Sequence, residues 1–286
     1  MVVRRTLPHR GLRTVGAWCF LDDYGPADAD PGMVVPPHPH TSLQTVTWLL
    51  SGEVLHQDSL GSEQLVRPGA LNLMTAGRGI THAEMSTPAS PALRGLQLWV
   101  ALPDEHRETA PDFEHLPELP VLADGALTAT VLLGPLGDVV SPATTFTPIV
   151  GADVSVRSGG AGSLPLEPTW EHAVLALTDG AVVAGEPLPA ASLAYLGCGR
   201  DRLDVAASGS DDARVFLLGG EPFDEELLMW WNFIGRSHDE VAAARDEWMT
   251  AVDGASTRFG QVTRYDGAAL PAPALPGTQL RPRGRS

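Results

Sequence analysis

Apolar residues in this chain come in short β-prone runs, cut every few positions by glycine or proline. Eight runs stand out, at 45–50, 53–56, 71–75, 96–102, 127–133, 173–177, 192–196 and 214–218. Short extended runs at this spacing, bounded by turn residues, predict an all-β sandwich or barrel. One segment carries helix-start chemistry. Ser237 is followed three residues later by Glu240, the spacing of a capping box, and then by Val241, Ala244, Arg245 and Trp248. A short C-terminal helix is expected there. Beyond Ala268 the chain is rich in Pro, Ala and Arg, and a loosely ordered tail is expected.

A faint internal repeat adds to the picture. Leu49-Leu50-Ser51-Gly52-Glu53-Val54 resembles Leu177-Thr178-Asp179-Gly180-Ala181-Val182. In both halves a Pro-containing stretch follows and leads into another strand-like run, 68–73 in one and 188–193 in the other. Two similar β-barrels in tandem is the simplest account. The boundary falls where Gly, Pro and Asp cluster, near 134–144. The expected division is a barrel over 1–134, a second barrel with the helix over 135–267, and the tail over 268–286.

Composition narrows the function. A length of 286 residues suits two domains or one large β domain, and 43% hydrophobic against 19% charged residues allows a sizeable core. There are 19 basic residues, all Arg, and 35 acidic ones, giving a formal net charge of −16. Phosphate is repelled on average by such a chain, so direct nucleic-acid binding and an anionic-membrane patch are disfavoured. The two cysteines, Cys19 and Cys198, lie too far apart in sequence for a disulfide framework or a Cys-based zinc site. They read as reduced, buried thiols. No apolar h-region opens the chain, and no run approaches the roughly 20 residues of a spanning helix. A cytoplasmic protein without membrane association is expected.

The chemistry concentrates in two places. In Pro36-Pro37-His38-Pro39-His40 the prolines fix φ and disfavour helix, so an extended chain is expected. Residues i and i+2 of an extended chain share a face, which sets the His38 and His40 imidazoles side by side. Further on comes Thr81-His82-Ala83-Glu84, again an i, i+2 pair, now an imidazole and a carboxylate. Three imidazoles and one carboxylate suit Fe(II), Mn, Ni, Cu or Zn. Two such pairs on neighbouring strands converge inside a barrel and leave coordination positions open. His56, two residues from Asp58, reads as a hydrogen-bond partner of the ligands or, more plainly, as a structural histidine. His9, His106, His115 and His238 lack a partner pattern and read as surface residues. His172 has no second histidine beside it, and none stands near Arg202 and Asp204, where a second ligand pair would recur.

The stretch from Pro37-His38-Pro39-His40 through Gln44-Thr45-Val46-Thr47, His56-Gln57-Asp58-Ser59-Leu60-Gly61, Arg67-Pro68-Gly69 and Met74-Thr75-Ala76-Gly77-Arg78-Gly79-Ile80-Thr81-His82-Ala83-Glu84 resembles the pirin family of bicupins. Gly95-Leu96-Gln97-Leu98-Trp99-Val100 continues the resemblance, and Trp230-Trp231-Asn232-Phe233-Ile234-Gly235-Arg236-Ser237 resembles the family's C-terminal end. The departures are Thr41-Ser42-Leu43, Leu73 and Ala101, which bear on pocket shape and leave the ligand positions untouched.

The resemblance implies two tandem cupin-type β-barrels with one metal, usually iron, in the first. The family's ligands fall on His38, His40, His82 and Glu84. Some pirins open the flavonol quercetin with dioxygen, while others act as partners of transcription regulators or metabolic enzymes. The leading expectation is a quercetinase-like dioxygenase with a flavonol and dioxygen as reactants and Glu84 as catalytic proton acceptor. The alternative is a redox-sensing metal module that docks on a protein. A metal-dependent isomerase or hydrolase is a weaker third reading. Gly77 and Gly79 read as turn residues before the ligand strand. Arg78 reads as a substrate-anion contact or an ion pair fixing the turn, and Gln97 as a pocket residue or an outward one. One of Trp230 and Trp231 is expected in the core and the other between domains.

Overall fold

The computed structural model describes residues 1–25, 32–87 and 93–285. In chain order its strands are β1 (Val3–Leu7), β2 (Trp18–Tyr24), β3 (Val34–His40), β4 (Leu43–Ser51), β5 (Val54–Asp58), β6 (Glu63–Val66), β7 (Leu71–Thr75), β8 (Ile80–Ser86), β9 (Arg94–Ala101) and β10 (Asp112–Leu116). There follow β11 (Val121–Asp124), β12 (Leu127–Leu133), β13 (Pro135–Leu136), β14 (Val139–Val140), β15 (Ile149–Val156), β16 (Ala161–Pro165), β17 (Glu171–Ala176), β18 (Ala181–Val183), β19 (Glu186–Leu188), β20 (Leu193–Gly197), β21 (Arg202–Ala207) and β22 (Ala213–Gly220). The hairpin β23 (Leu228–Trp230) and β24 (Phe233–Gly235) leads into a single helix, α1 (His238–Val252). The fold is all-β with one short C-terminal helix, as the spacing of turn residues predicts.

The chain forms two compact units. One comprises Met1–Arg5, Phe20–Pro117 and Asp224–Ser286, and the other Thr6–Cys19 and Glu118–Phe223. The first is carried by a six-stranded sheet ordered β1-β2-β9-β4-β7-β10 and a four-stranded sheet ordered β3-β8-β5-β6. The second is carried by a six-stranded sheet ordered β11-β12-β15-β22-β17-β20 and a four-stranded sheet ordered β16-β21-β18-β19. The run β2-β9-β4-β7 thus repeats as β15-β22-β17-β20, and β3-β8-β5-β6 as β16-β21-β18-β19. The faint sequence repeat is a repeat of topology.

Burial explains why several strands escape an alternation search. β2, β7 and β17 are buried along their whole length, and β4 along its first seven residues. A strand covered on both faces reads as a continuous apolar run rather than as alternation. The interior of the second unit is apolar, with Val131, Val154, Leu164, Leu203, Val205 and Leu217 among its buried side chains.

Three expectations are corrected. The units are not sequential halves cut at 134 and 135, because the segment from Asp224 onward belongs with the first unit and Thr6–Cys19 with the second. The tail is not loose over its described residues, and Ser286 lies outside them. β3 is an end strand of its sheet, and an uncovered strand edge leaves backbone groups in need of partners. Leu270 N–H donates to the Pro37 carbonyl at 2.8 Å. The Trp248 indole donates to the Leu270 carbonyl at 2.8 Å, and Arg245 Nε to the Pro273 carbonyl at 2.8 Å. Ala272 is buried with Phe233, Trp248 and Phe259. Finally, Cys19 is buried but Cys198 is exposed, because Cys198 follows β20 at the edge of its sheet.

The helix starts as its sequence predicts. Ser237 is extended at φ −144° and ψ 162°, and its hydroxyl accepts the Glu240 N–H at 3.2 Å. The Glu240 carboxylate turns back to the Arg236 N–H at 2.9 Å, one residue beyond the N-cap that the usual return bond reaches. Trp230 and Trp231 are both half-buried and pack on the Leu228, Phe233 and Trp248 cluster of the first unit.

Candidate metal centre

The site is built on β8, the second strand of the sheet β3-β8-β5-β6. β3 runs antiparallel on one side, with His38 opposite His82 and His40 opposite Ile80. The register shifts between Val35 and His38, where Pro36 and Pro37 stand. Proline has no N–H for the ladder and is tolerated on an edge strand, which is why Pro-His-Pro-His sits there. β5 runs antiparallel on the other side, with His56 opposite Glu84 and Asp58 opposite His82. The i, i+2 pairs of three strands therefore face one interior.

The rings of His38, His40 and His82 have centroids 5.0, 4.4 and 4.9 Å apart, taken as the pairs His38–His40, His38–His82 and His40–His82. The Nε2 atoms of His40 and His82 are 3.1 Å apart. Ligand atoms of these three residues all lie within 4.8 Å of one another. His56, His82 and Glu84 form a second such group, sharing His82. All five side chains are buried. The four residues singled out in the sequence thus come together as two triads through His82, and His56 joins them.

Electrostatics keep the imidazoles neutral. Burial pushes His38 down to about 4, against a weaker opposing pull from the Pro36 carbonyl, which is 2.9 Å from its Nδ1. Burial holds His40 well below the ordinary histidine range, His38 adds to this, and the Asn232 backbone opposes it. Burial and the neighbouring imidazoles do the same to His82. Glu84 is raised by burial, against the influence of His56 and the Thr47 hydroxyl. Three neutral imidazoles carry lone pairs at neutral pH, and a divalent ion would remove the cost of a buried carboxylate. This donor set fits a divalent metal.

Other side chains complete the surroundings. The Thr47 hydroxyl lies 3.1 Å from Glu84 Oε1 and 3.2 Å from Gln97 Oε1. One hydroxyl proton serves one acceptor at a time, so Thr47 donates to either Glu84 or Gln97. Gln97, half-buried, is therefore on the inward face. Trp99 stands edge-on to His40 at 5.2 Å and stacks on Phe20 at 4.0 Å. Tyr24 is raised well above its ordinary value by burial and by Glu84. Asp58 is opposed by burial, yet bonds from His56 and Ser62 hold its carboxyl below the usual range. Thr47, Asp58 and Phe113 were missed by sequence reasoning, since no ligand pattern marks them; only the His56-x-Asp58 spacing hinted at one.

Arg78 does not join the site. It is exposed at the tip of a turn whose N–H donates to the Thr109 carbonyl at 3.0 Å, and no ion pair to it is found among the described residues. Gly77 has φ +50°, and a Cβ there would meet the Thr109 carbonyl oxygen at 2.1 Å, so this turn requires glycine. His9, His106, His115 and His238 stand apart from both triads.

The second unit repeats the strands without these histidines and Glu84. There Leu164 of β16 pairs with Leu203 of β21, the counterparts of β3 and β8, and both are fully or almost fully buried with Val205. His172 on β17 is buried, and burial pushes it down to about 4. Among the described residues no ligand group forms around it.

A family model described as Pirin matches residues 1–100, and one described as Pirin C-terminal cupin domain matches residues 151–253. A Pseudomonas aeruginosa protein named as a candidate quercetin 2,3-dioxygenase is 45% identical over 278 residues, 96% of this chain and 86% of that protein. Pirin from Homo sapiens is 29% identical over 259 residues, 88% of each chain. A crystal structure of quercetin 2,3-dioxygenase from Acinetobacter baumannii matches with a TM-score of 0.91 and 41% identity, covering 98% of this chain and 92% of that one.

Proposed function

This chain belongs to the pirin family, and we propose that it is a metal-dependent dioxygenase that opens a flavonol of the quercetin type with dioxygen. The observation that carries the reading is the buried triad of neutral imidazoles on β3 and β8, His38, His40 and His82, with Glu84 in a second buried triad that shares His82. The likeness to a solved quercetin 2,3-dioxygenase supports it. His38, His40, His82 and Glu84 are the proposed ligands of one divalent ion per chain. We take it as iron(II), although manganese, nickel, copper or zinc accept the same donors. The bound ion supplies Lewis acidity and a template for orienting the reactants.

The chain's own residues do the rest. The Pro36 carbonyl holds the His38 ring by its Nδ1 and leaves Nε2 free. Thr47 holds one oxygen of Glu84 and leaves the other available. The Glu84 oxygen not held by Thr47 serves as acceptor for the 3-hydroxyl proton. The flavonol then reacts as its anion, and the ring opens with uptake of one O2 and release of one carbon monoxide. Trp99 and the buried strand faces exclude water from the site.

Oxygen uptake and carbon monoxide release with quercetin test this reading. One equivalent of each per flavonol is expected. No uptake with any flavonol, across iron-, manganese-, nickel- and copper-loaded protein, contradicts it.

A further inference from the structure

We propose that Asp58 and His56 are positioning residues that fix the tautomer of His82, and thereby the nitrogen on which it offers a lone pair. The proposal rests on the metal site argued above and adds two residues to it.

The argument starts at the β5 turn. Asp58 Oδ1 accepts the backbone N–H groups of Leu60 at 2.9 Å and Ser62 at 3.0 Å. Its other oxygen, Oδ2, lies 3.1 Å from His56 Nε2. A carboxylate only accepts, so the proton of that contact belongs to His56 Nε2. With one proton on the ring, the lone pair of His56 sits on Nδ1. That atom faces His82 Nδ1 at 3.4 Å. His82 must then donate there, which places its proton on Nδ1 and its lone pair on Nε2. Nε2 is the atom that stands 3.1 Å from His40 Nε2, inside the imidazole triad. Phe113 stacks on the His56 ring at 4.3 Å and 13°, which keeps the ring from tilting out of line. Metal-binding histidines commonly donate their second nitrogen to such a partner. Here the partner is an imidazole that is itself oriented by a buried carboxylate.

Asp58→Asn reverses the chain of donors. The two backbone N–H groups keep the amide oxygen, so the NH2 group must face His56 Nε2. His56 then carries its proton on Nδ1, and His82 is driven to carry its own on Nε2, where an ion needs a lone pair. His56→Phe removes the bias without imposing the wrong tautomer.

The test uses full-length chain with 15N-labelled histidine at pH 8, together with nickel(II) competition against a chelator. Wild type is expected to show His82 protonated on Nδ1. Asp58→Asn is expected to show it protonated on Nε2 and to bind nickel about 10- to 100-fold more weakly with unchanged circular dichroism. His56→Phe should fall between the two. An unchanged His82 tautomer and unchanged affinity in Asp58→Asn overturn the proposal. So does loss of binding in His56→Phe as complete as in His38→Ala, which makes His56 a ligand. Wild type that binds nickel no better than His38→Ala overturns the metal site itself, while the tautomer of His82 still decides the present claim.

Discussion

His38 on β3 and His82 on β8 are directly opposed in one antiparallel register, with ring centroids 4.4 Å apart. Side chains alternate along a strand, so this single pairing also brings His40 and Glu84 to the same interior. A slip of β3 by one residue would send His38 and His40 to the face opposite His82 and Glu84. The Pro36-Pro37 register shift and the Leu270–Pro37 bond fix the pairing at the edge.

Metal content should follow the first unit alone. His40→Ala is expected to lose most bound metal and remain folded, while His172→Gln keeps one ion per chain. Elemental analysis beside circular dichroism checks this. Two tightly bound ions per chain would show ligands in the second unit, where Leu164 and Leu203 stand.

The second unit should lose stability in mild acid. His172 sits at about 4 in the folded chain and at the ordinary 6.5 when unfolded. Above 6.5 both states are neutral and the full stability is present. As pH falls from 6.5 toward 4, the unfolded chain takes up a proton that the folded chain refuses, and stability falls. By pH 5 the loss attributable to this group is on the order of 2 kcal/mol. Urea unfolding at pH 7.5 and pH 5 should show a smaller drop in His172→Gln than in wild type.

The C-terminal segment should hold the first unit together. Trp248 is 2% exposed and bonds the Leu270 carbonyl. Trp248→Ala is expected to cost about 3–5 kcal/mol of unfolding free energy, in the range of large core truncations. Hydrogen exchange should quicken at the Leu270 amide, which donates to Pro37 next to His38. Denaturant titration and exchange measured together check both statements.

Much of this architecture is legible in the sequence, for identifiable reasons. Runs at 71–75 and 127–133 coincide with β7 and β12 because turn residues bracket them closely. The His-x-His and His-x-Glu pairs are legible because strand periodicity alone places each pair on one face. The ordering of the tail is not, since it depends on a strand edge that only the assembled sheet creates. Nor is the interleaving of 6–19 with the second unit, because long-range pairing decides it. Thr47 and Phe113 reach the site across sheets, and no local spacing encodes that.

Glu84 should matter more for rate than for substrate affinity. Gln in its place keeps an oxygen that can coordinate and can accept from Thr47, but it neither takes a proton nor offsets charge. Glu84→Gln is therefore expected to lower kcat for quercetin by about 100-fold or more, a typical contribution of a general base. KM should change far less. Steady-state oxygen uptake against quercetin concentration separates the two effects.

The central claim is that the imidazole cluster of the first unit holds the ion that turns over a flavonol. Metal content and quercetin-dependent oxygen uptake, measured on the same samples of wild type and His38→Ala, test it most directly. Wild type is expected to carry one ion per chain and to consume one dioxygen per quercetin, and His38→Ala to do neither. A metal-replete wild type that consumes no dioxygen, or a His38→Ala variant that retains both metal and turnover, contradicts the account.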